Sequence, residues 1–251
     1  MIRGILSSMS TLAHLIDQAD RVAVFTGAGV STLCGIPDFR GPEGIYRKMD
    51  GDRIFSIQQF EADPTFYYRN AADFIYGMAD HEPGIVHTVC AELGRRGKVA
   101  GIITQNIDML HQRAGSPEVI EVHGSPITHT CRSCRAQVPF EAVLPEARAG
   151  RVPRCEACDG VMKPDITFFG EMLPEGALEA AFALASEADL TLVLGSSLVV
   201  QPAASVPLAT ARAGGKLALV NHDPTPLDDL AVYRGTDLAA EFATLAIHFG
   251  V

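Results

Sequence analysis

Apolar residues in this chain fall into short unbroken runs separated by longer stretches of helical period. Residues 21–25, 99–104, 119–122, 166–169, 190–194 and 216–220 are runs rich in Val, Ile, Leu and Phe, mostly flanked by turn residues. Such runs predict strands buried on both faces. Between them the spacing predicts helices. Leu6, Met9, Ala13 and Ile16 recur at near-helical intervals, 57–80 is aromatic-rich, and 87–95, 109–114, 176–187 and 203–213 follow. Residues 36–56 hold Pro37, Gly41, Pro42, Gly44 and Gly51 and predict a loop able to move. Strand and helix alternating in this way predict an α/β fold, a parallel sheet with helices on both faces.

The texture changes over 125–164, which carries five arginines and few long apolar runs. It predicts an inserted module. Cys131 and Cys134 form one Cys-x-x-Cys pair, Cys155 and Cys158 another, with twenty residues between the pairs. That spacing predicts a tetrahedral four-thiolate zinc site, closed to water and therefore structural. A redox dithiol is the alternative, but it needs one pair rather than two. Cys34 and Cys90 stand apart, so the six cysteines do not form a secreted disulfide framework.

The 251 residues carry a net charge of -10, which argues against a protein that works by embracing nucleic acid. No apolar run approaches the roughly 18 residues of a membrane span, and Ser7 and Ser8 break the short apolar start, so a cytoplasmic protein is expected. The oligomeric state is left open, a monomer being compatible with the sequence.

Residues 21–25 run into Gly27-Ala28-Gly29, a strand-to-helix turn suited to pyrophosphate. The third glycine of the dinucleotide fingerprint is replaced by Thr32, and no acid ends a second strand about twenty residues on. The turn therefore supports nucleotide binding and gives no support to hydride transfer.

The segment from Gly27 to Gly41, with its Gly-Ile-Pro-Asp-Phe-Arg-Gly ending, closely resembles the signature of the sirtuins, the NAD-dependent protein deacylases. Thr104-Gln-Asn-Ile-Asp108, His123-Gly124, the cysteine module, Lys163 to Glu171, Gly195 to Pro202 and Val220-Asn221 match the family's further blocks in order. The resemblance implies a Rossmann-like large domain (1–41, 91–124 and 165–251) and a small domain. The small domain would comprise a helical insertion (42–90) and the zinc module (125–164). It implies NAD as a consumed co-substrate, one structural zinc, and acetylated lysine segments of proteins as partners. The products would be nicotinamide, 2′-O-acetyl-ADP-ribose and free lysine, reached through an alkylimidate.

Residue roles are implied in the same way. His123 would be the general base, an imidazole whose ordinary pKa suits the task. Asp108 would orient the nicotinamide carboxamide, or else cap a helix. Asn106 would fix a water or hydroxyl near the reacting carbon, and Gln105 the ribose diol. Phe39 would shield the reactive face, Arg40 reach the phosphates, and Asp38 set the loop. Gly195, Ser196, Ser197 and Asn221 would hold the nucleotide at strand ends, with Gly27, Ala28, Gly29, Thr32, Ile107, Asp237 and Leu238 as further cofactor contacts. Phe39, His123, Thr167, Phe169, Gly170, Glu171, Leu198, Val199 and Val200 would meet the substrate, whose backbone would add as a strand.

Thr167 departs from the family's usual Val. The Tyr-x-x-Arg pair of succinyl-preferring members is absent, since Phe66 stands three residues before Arg69. Protein ADP-ribosylation, removal of another acyl group, and a non-catalytic zinc-containing binding module are the rival readings.

Overall fold

The computed structural model describes residues 11–39, 41 and 44–251. Its main sheet holds six parallel strands, β1 (Val22–Thr26), β2 (Val99–Thr104), β3 (Val119–Glu121), β7 (Leu190–Leu194), β8 (Lys216–Val220) and β9 (Ala231–Gly235). A second sheet of three antiparallel strands comprises β4 (Gly124–Cys131), β5 (Gln137–Pro139) and β6 (Met162–Ile166).

The main sheet runs in the order β3-β2-β1-β7-β8-β9. Every residue of β1 and β7 is buried, because helices cover both faces. Alternate side chains divide between the two faces. Val22, Val24, Leu190, Leu192 and Leu194 meet Leu12, Ile16, Val89, Leu93, Phe242 and Leu245 from helices Thr11–Gln18, Ile85–Arg95 and Leu238–Phe249. Ala23, Phe25 and Val193 meet Ala181, Leu184 and Ala185 of helix Ala177–Ser186 on the other face. The α/β expectation is met.

The small sheet packs against the helical segment 51–80. Its core is aromatic: Phe60, Tyr67, Tyr68, Tyr76, Phe140 and Phe168 lie together with Met162, Cys131 and Cys155. The Tyr68 hydroxyl donates to the Met162 carbonyl at 2.7 Å and ties the helices to β6.

Several expectations need correction. Helices Ile45–Lys48 and Gly51–Ile54 lie inside the segment read as loop, the second capped by the Asp50 carboxylate. The strand expected at 166–169 is not one. β6 ends at Ile166, and the following residues turn to bond other segments: the Thr167 N–H donates to the His123 carbonyl and the Phe169 N–H to that of Phe55. The helix expected over 203–213 is two pieces, a 3-10 turn Ala203–Ser205 and helix Pro207–Arg212, because Pro207 opens the second. The 57–80 stretch is likewise broken at Asp63-Pro64. The N-terminal part of the first helix, from Leu6 to Met9, lies outside the described residues. No described helix is long and apolar enough to cross a membrane.

Three buried histidines set a pH limit on stability. Burial, helped by the Lys163 charge, pushes His129 down to about 3; the Tyr76 hydroxyl lies 2.9 Å from its Nε2. Burial also lowers His111 and His87. All three fold as neutral rings, so the unfolded chain binds more protons below the ordinary value of about 6.5. Stability is full above that pH. It falls below it by up to about 1.4 kcal/mol per pH unit for each ring. Urea midpoints are expected to drop steadily between about pH 7 and pH 5; a flat profile would contradict neutral burial.

Candidate active site

Strand order reverses between β1 and β7, and ligands of open parallel sheets bind at such a point, beyond the carboxyl ends of the strands. Two turns meet there. The Gly27 N–H donates to the Leu194 carbonyl at 3.0 Å and the Gly29 N–H to that of Gly195 at 2.9 Å. A Cβ on Gly29 would stand 2.7 Å from the Gly195 Cα, and Gly195 itself has φ +58. The glycines are required because the two backbones touch. They leave an open cavity of about 1020 Å³ above the strand ends.

The cavity is lined by Gly27, Ala28, Gly29, Thr32, Asp38, Phe39, Gln105, Asn106, Ile107 and His123. Of the other expected residues, Thr167, Phe169, Gly170, Glu171, Gly195, Ser196, Ser197, Val200, Asn221, Asp237 and Leu238 line it too. Leu198 and Val199 do not line it. Leu198 has φ +55 and is buried in the core beneath, while Val199 is exposed. Arg40 lies outside the described residues. The sequence reading missed Ile166, Phe168, Leu173, Gln201 and Asp223, which also line the wall.

His123 follows β3. Its Nδ1 lies 3.0 Å from the Gln105 carbonyl, which can only accept, so Nδ1 carries the hydrogen and Nε2 is the basic nitrogen of the neutral ring. Gln105 in turn donates from Nε2 to the Ser196 hydroxyl at 2.8 Å, joining the ends of β2 and β7.

A buried polar layer supports this floor. The Asn106 side-chain amide donates to the Gly27 carbonyl at 3.1 Å and to Ser31 Oγ at 3.3 Å. Its backbone N–H donates to Thr104 Oγ1, which also accepts from Thr26 Oγ1; His111 Nε2 lies 3.1 Å from that Thr26 oxygen. Asp108 belongs to the layer and does not line the cavity. One carboxylate oxygen accepts from Ser31 Oγ at 2.6 Å and the other from the Leu110 N–H at 2.9 Å, at the start of helix Leu110–Arg113. The cap alternative is not met as expected: the cap position is Met109, with φ +62, and Asp108 reaches the first helical N–H from one residue before it. The Asp237 carboxylate likewise accepts from the Ala240 N–H and caps helix Leu238–Phe249, while still bordering the cavity. Glu171 borders it too, but its carboxylate is paired with Lys163 at 2.8 Å. Phe39 makes edge contacts with Phe55 and Phe74 at ring separations of 6.2 and 5.8 Å.

The four cysteine sulfurs lie within 4.8 Å of one another, at 3.5 Å for Cys131–Cys158 and 3.6 Å for Cys134–Cys155. Zinc–sulfur bonds of about 2.3 Å in a tetrahedron require sulfurs about 3.8 Å apart. The donor set and its spacing therefore fit zinc. Backbone N–H groups of Cys134 and Ser133 point at Cys131 Sγ and hold its thiol below the ordinary range, which favours the thiolate that a metal needs.

A nucleotide-scale cavity at the switch point of a parallel sheet, bordered by a strand-end histidine and joined to a four-cysteine module that fits zinc, matches an enzyme of the Rossmann-like class. The family model described as the Sir2 family matches residues 27–202. The NAD-dependent protein deacetylase of Thermotoga maritima is 43% identical over 242 residues, 96% of this chain and 98% of that one. That of Chromobacterium violaceum is 40% identical, covering 89% and 92%. Among solved structures, a Sir2–p53 peptide–NAD+ complex superposes with TM-score 0.87 at 42% identity, over 97% of this chain and 98% of that one. A Sir2 bound to acetylated peptide gives 0.86 at 40% identity, with the same coverage. The chain belongs to the Sir2 family.

Proposed function

We propose that the protein is an NAD-dependent protein-lysine deacetylase acting in the cytoplasm. The observation that carries this reading is the His123 ring at the cavity wall, held by Gln105 with its basic nitrogen on Nε2. NAD, consumed as co-substrate, supplies the ribose that takes the acetyl group and releases nicotinamide. The chain's own residues would divide the work. Gly27, Gly29 and Gly195 would let backbone approach the pyrophosphate, and Ser196, Ser197 and Asn221, just beyond strand ends, would hold the nucleotide. Asn106, locked by Gly27 and Ser31, holds its polar group at the cavity floor. Asp108 fixes Ser31 and so supports Asn106, acting from behind the cavity wall. His123 Nε2 would take the proton of a ribose hydroxyl. Phe39, backed by Phe55 and Phe74, would cover the reacting face and keep water away.

The same reading divides the chain into a nucleotide-binding domain (1–41, 91–124 and 165–251) and a small domain (42–90 and 125–164). Helix Ile85–Arg95 packs as a unit on the large core through Val86, Val89, Cys90 and Leu93, which favours a junction near 84 over one at 90.

Acetyl-lysine should be used in preference to succinyl-lysine. Among the described residues lining the cavity there is no Lys or Arg, while Asp38, Glu171, Asp223 and Asp237 are acidic. Arg69 does not reach it; its stem packs beside Gly150. A second substrate carboxylate would be buried without a cation, at a cost of several kcal/mol. The expected kcat/KM ratio is at least about ten-fold in favour of acetyl on one peptide. Equal use of the succinyl peptide would refute the assignment of this cavity as an acyl-lysine site without a cation. No turnover of the acetyl peptide with NAD would overturn the functional reading, and transfer of labelled ADP-ribose to protein in its place would favour the ADP-ribosylation rival.

A further inference from the structure

Lys163 is a buried cation whose ammonium bonds Pro164, Ile166 and Glu171 and lies over the Phe168 ring. Its side chain is 7% exposed. The ammonium lies 2.8 Å from Glu171 Oε2 and donates to the carbonyls of Ile166 at 2.9 Å and Pro164 at 3.1 Å. It also sits over the Phe168 ring, 4.1 Å from its centroid. The same Glu171 oxygen accepts from the Phe168 N–H at 2.9 Å, and the Glu171 N–H donates to the Phe168 carbonyl at 3.0 Å. One ammonium thus joins both ends of a loop running from 166 to 171. Burial disfavours its charge and holds it below the ordinary lysine value, which the bond and charge of Glu171 oppose. A desolvated lysine of this kind needs its partners in place.

The loop has two further anchors. The Thr167 N–H donates to the His123 carbonyl at 2.8 Å. The Phe169 N–H donates to the Phe55 carbonyl at 2.7 Å, and the Ile57 N–H returns a bond to the Phe169 carbonyl at 3.1 Å. Phe168 is buried among Phe55, Phe60 and Tyr67, which turns Phe169 outward to 46% exposure. Thr167, Phe169, Gly170 and Glu171 all border the cavity. Lys163 itself stands on β6, the strand that closes the four-cysteine module.

We infer that Lys163 is a positioning residue for substrate: by clamping Glu171 and the carbonyls of 164 and 166, it holds the acyl-lysine-binding edge in register and couples that edge to the zinc module. This rests on the deacetylase reading. It gives the Glu171 side chain the role of partner in the clamp. Substrate affinity, and neither NAD affinity nor the proton transfer at His123, should depend on the pair.

The test compares wild type, Lys163→Met, Glu171→Gln and the double variant, each checked for zinc content and thermal unfolding. An acetyl-lysine peptide labelled for fluorescence anisotropy gives Kd, and steady-state kinetics give both KM values. Lys163→Met should raise peptide Kd and KM by about ten-fold, with NAD KM and saturating kcat within about three-fold. The double variant should resemble the single ones, since the two residues act as one unit. Wild-type peptide affinity in a folded, zinc-loaded Lys163→Met protein would overturn the inference, as would an equal rise in NAD KM. If that variant does not fold, Glu171→Gln decides. Faster amide exchange at 167–171 with weakened peptide binding supports the clamp; unchanged exchange and affinity refute it. Failure of the wild type itself to bind or turn over the peptide would instead strike the deacetylase reading, and amide exchange would still judge the clamp without any activity.

Discussion

His123→Ala should keep the fold and most NAD affinity while losing deacetylation by about 10²–10⁴-fold in kcat, the usual scale for a removed general base. The ring Nδ1 bonds the Gln105 carbonyl. Its removal leaves the backbone bond from Thr167 to the His123 carbonyl in place, so the substrate edge should persist. Gly124, with φ +73, is required next to His123, since a Cβ there would lie 2.1 Å from the Asp165 carbonyl oxygen. His123→Asn is the sharper variant. Its amide can still donate to Gln105 but offers no basic nitrogen, so it should be as inactive as Ala. Wild-type turnover by either protein on an acetylated peptide would remove His123 from the proton transfer.

Removing the metal should be as damaging, by a different route. Four thiolates fill a tetrahedral ion and leave no site for substrate, so zinc acts here through folding. Cys131 and Cys155 belong to the aromatic core with Tyr68, Phe140 and Met162, so loss of the metal opens that core. The binding energy of such sites, about 10–16 kcal/mol, becomes folding energy in small units. Elemental analysis should find one zinc per chain. Cys155→Ala should lose the metal, destabilise β4–β6 and abolish deacetylation, with hydrogen exchange rising across 124–166 and staying slow in β1 and β7. Chelation of the wild type should do the same, reversibly on adding zinc. A metal-free protein, or an active variant lacking all four cysteines, would contradict this account.

What the sequence made legible follows from burial. β1, β2, β7 and β8 are covered on both faces, so they read as unbroken apolar runs. β9 is an edge strand with Val232 exposed, and β4 carries Ser, Pro, Thr and His for an antiparallel pairing, so neither has that signature. Helix Phe140–Arg148, with Pro145 inside it, was hidden in the arginine-rich module. Helix Leu238–Phe249 did carry a signal, an Asp cap before an apolar stretch, but Asp237 read equally well as a cofactor contact. The zinc site was legible because ligand spacing is local. Resemblance named His123, Asn106 and Asp108, yet only three dimensions separate a residue that borders the cavity from one that braces it. Asp108 could be either, and its bonds to Ser31 and Leu110 are those of a buried group behind the cavity. His111 and Lys163 had no spacing pattern at all, since their partners come from distant β1 and from a turn of the chain.

The central claim is that NAD is consumed to remove an acetyl group from lysine. Incubation of the purified protein with NAD and an acetyl-lysine peptide, followed by mass spectrometry, tests it directly. The account predicts nicotinamide, acetyl-ADP-ribose and free lysine in equal amounts, with no nicotinamide beyond a slow background when the peptide is unacetylated. Lysine freed with acetate as the sole acyl product, or an acetyl peptide left intact while NAD remains whole, would contradict it.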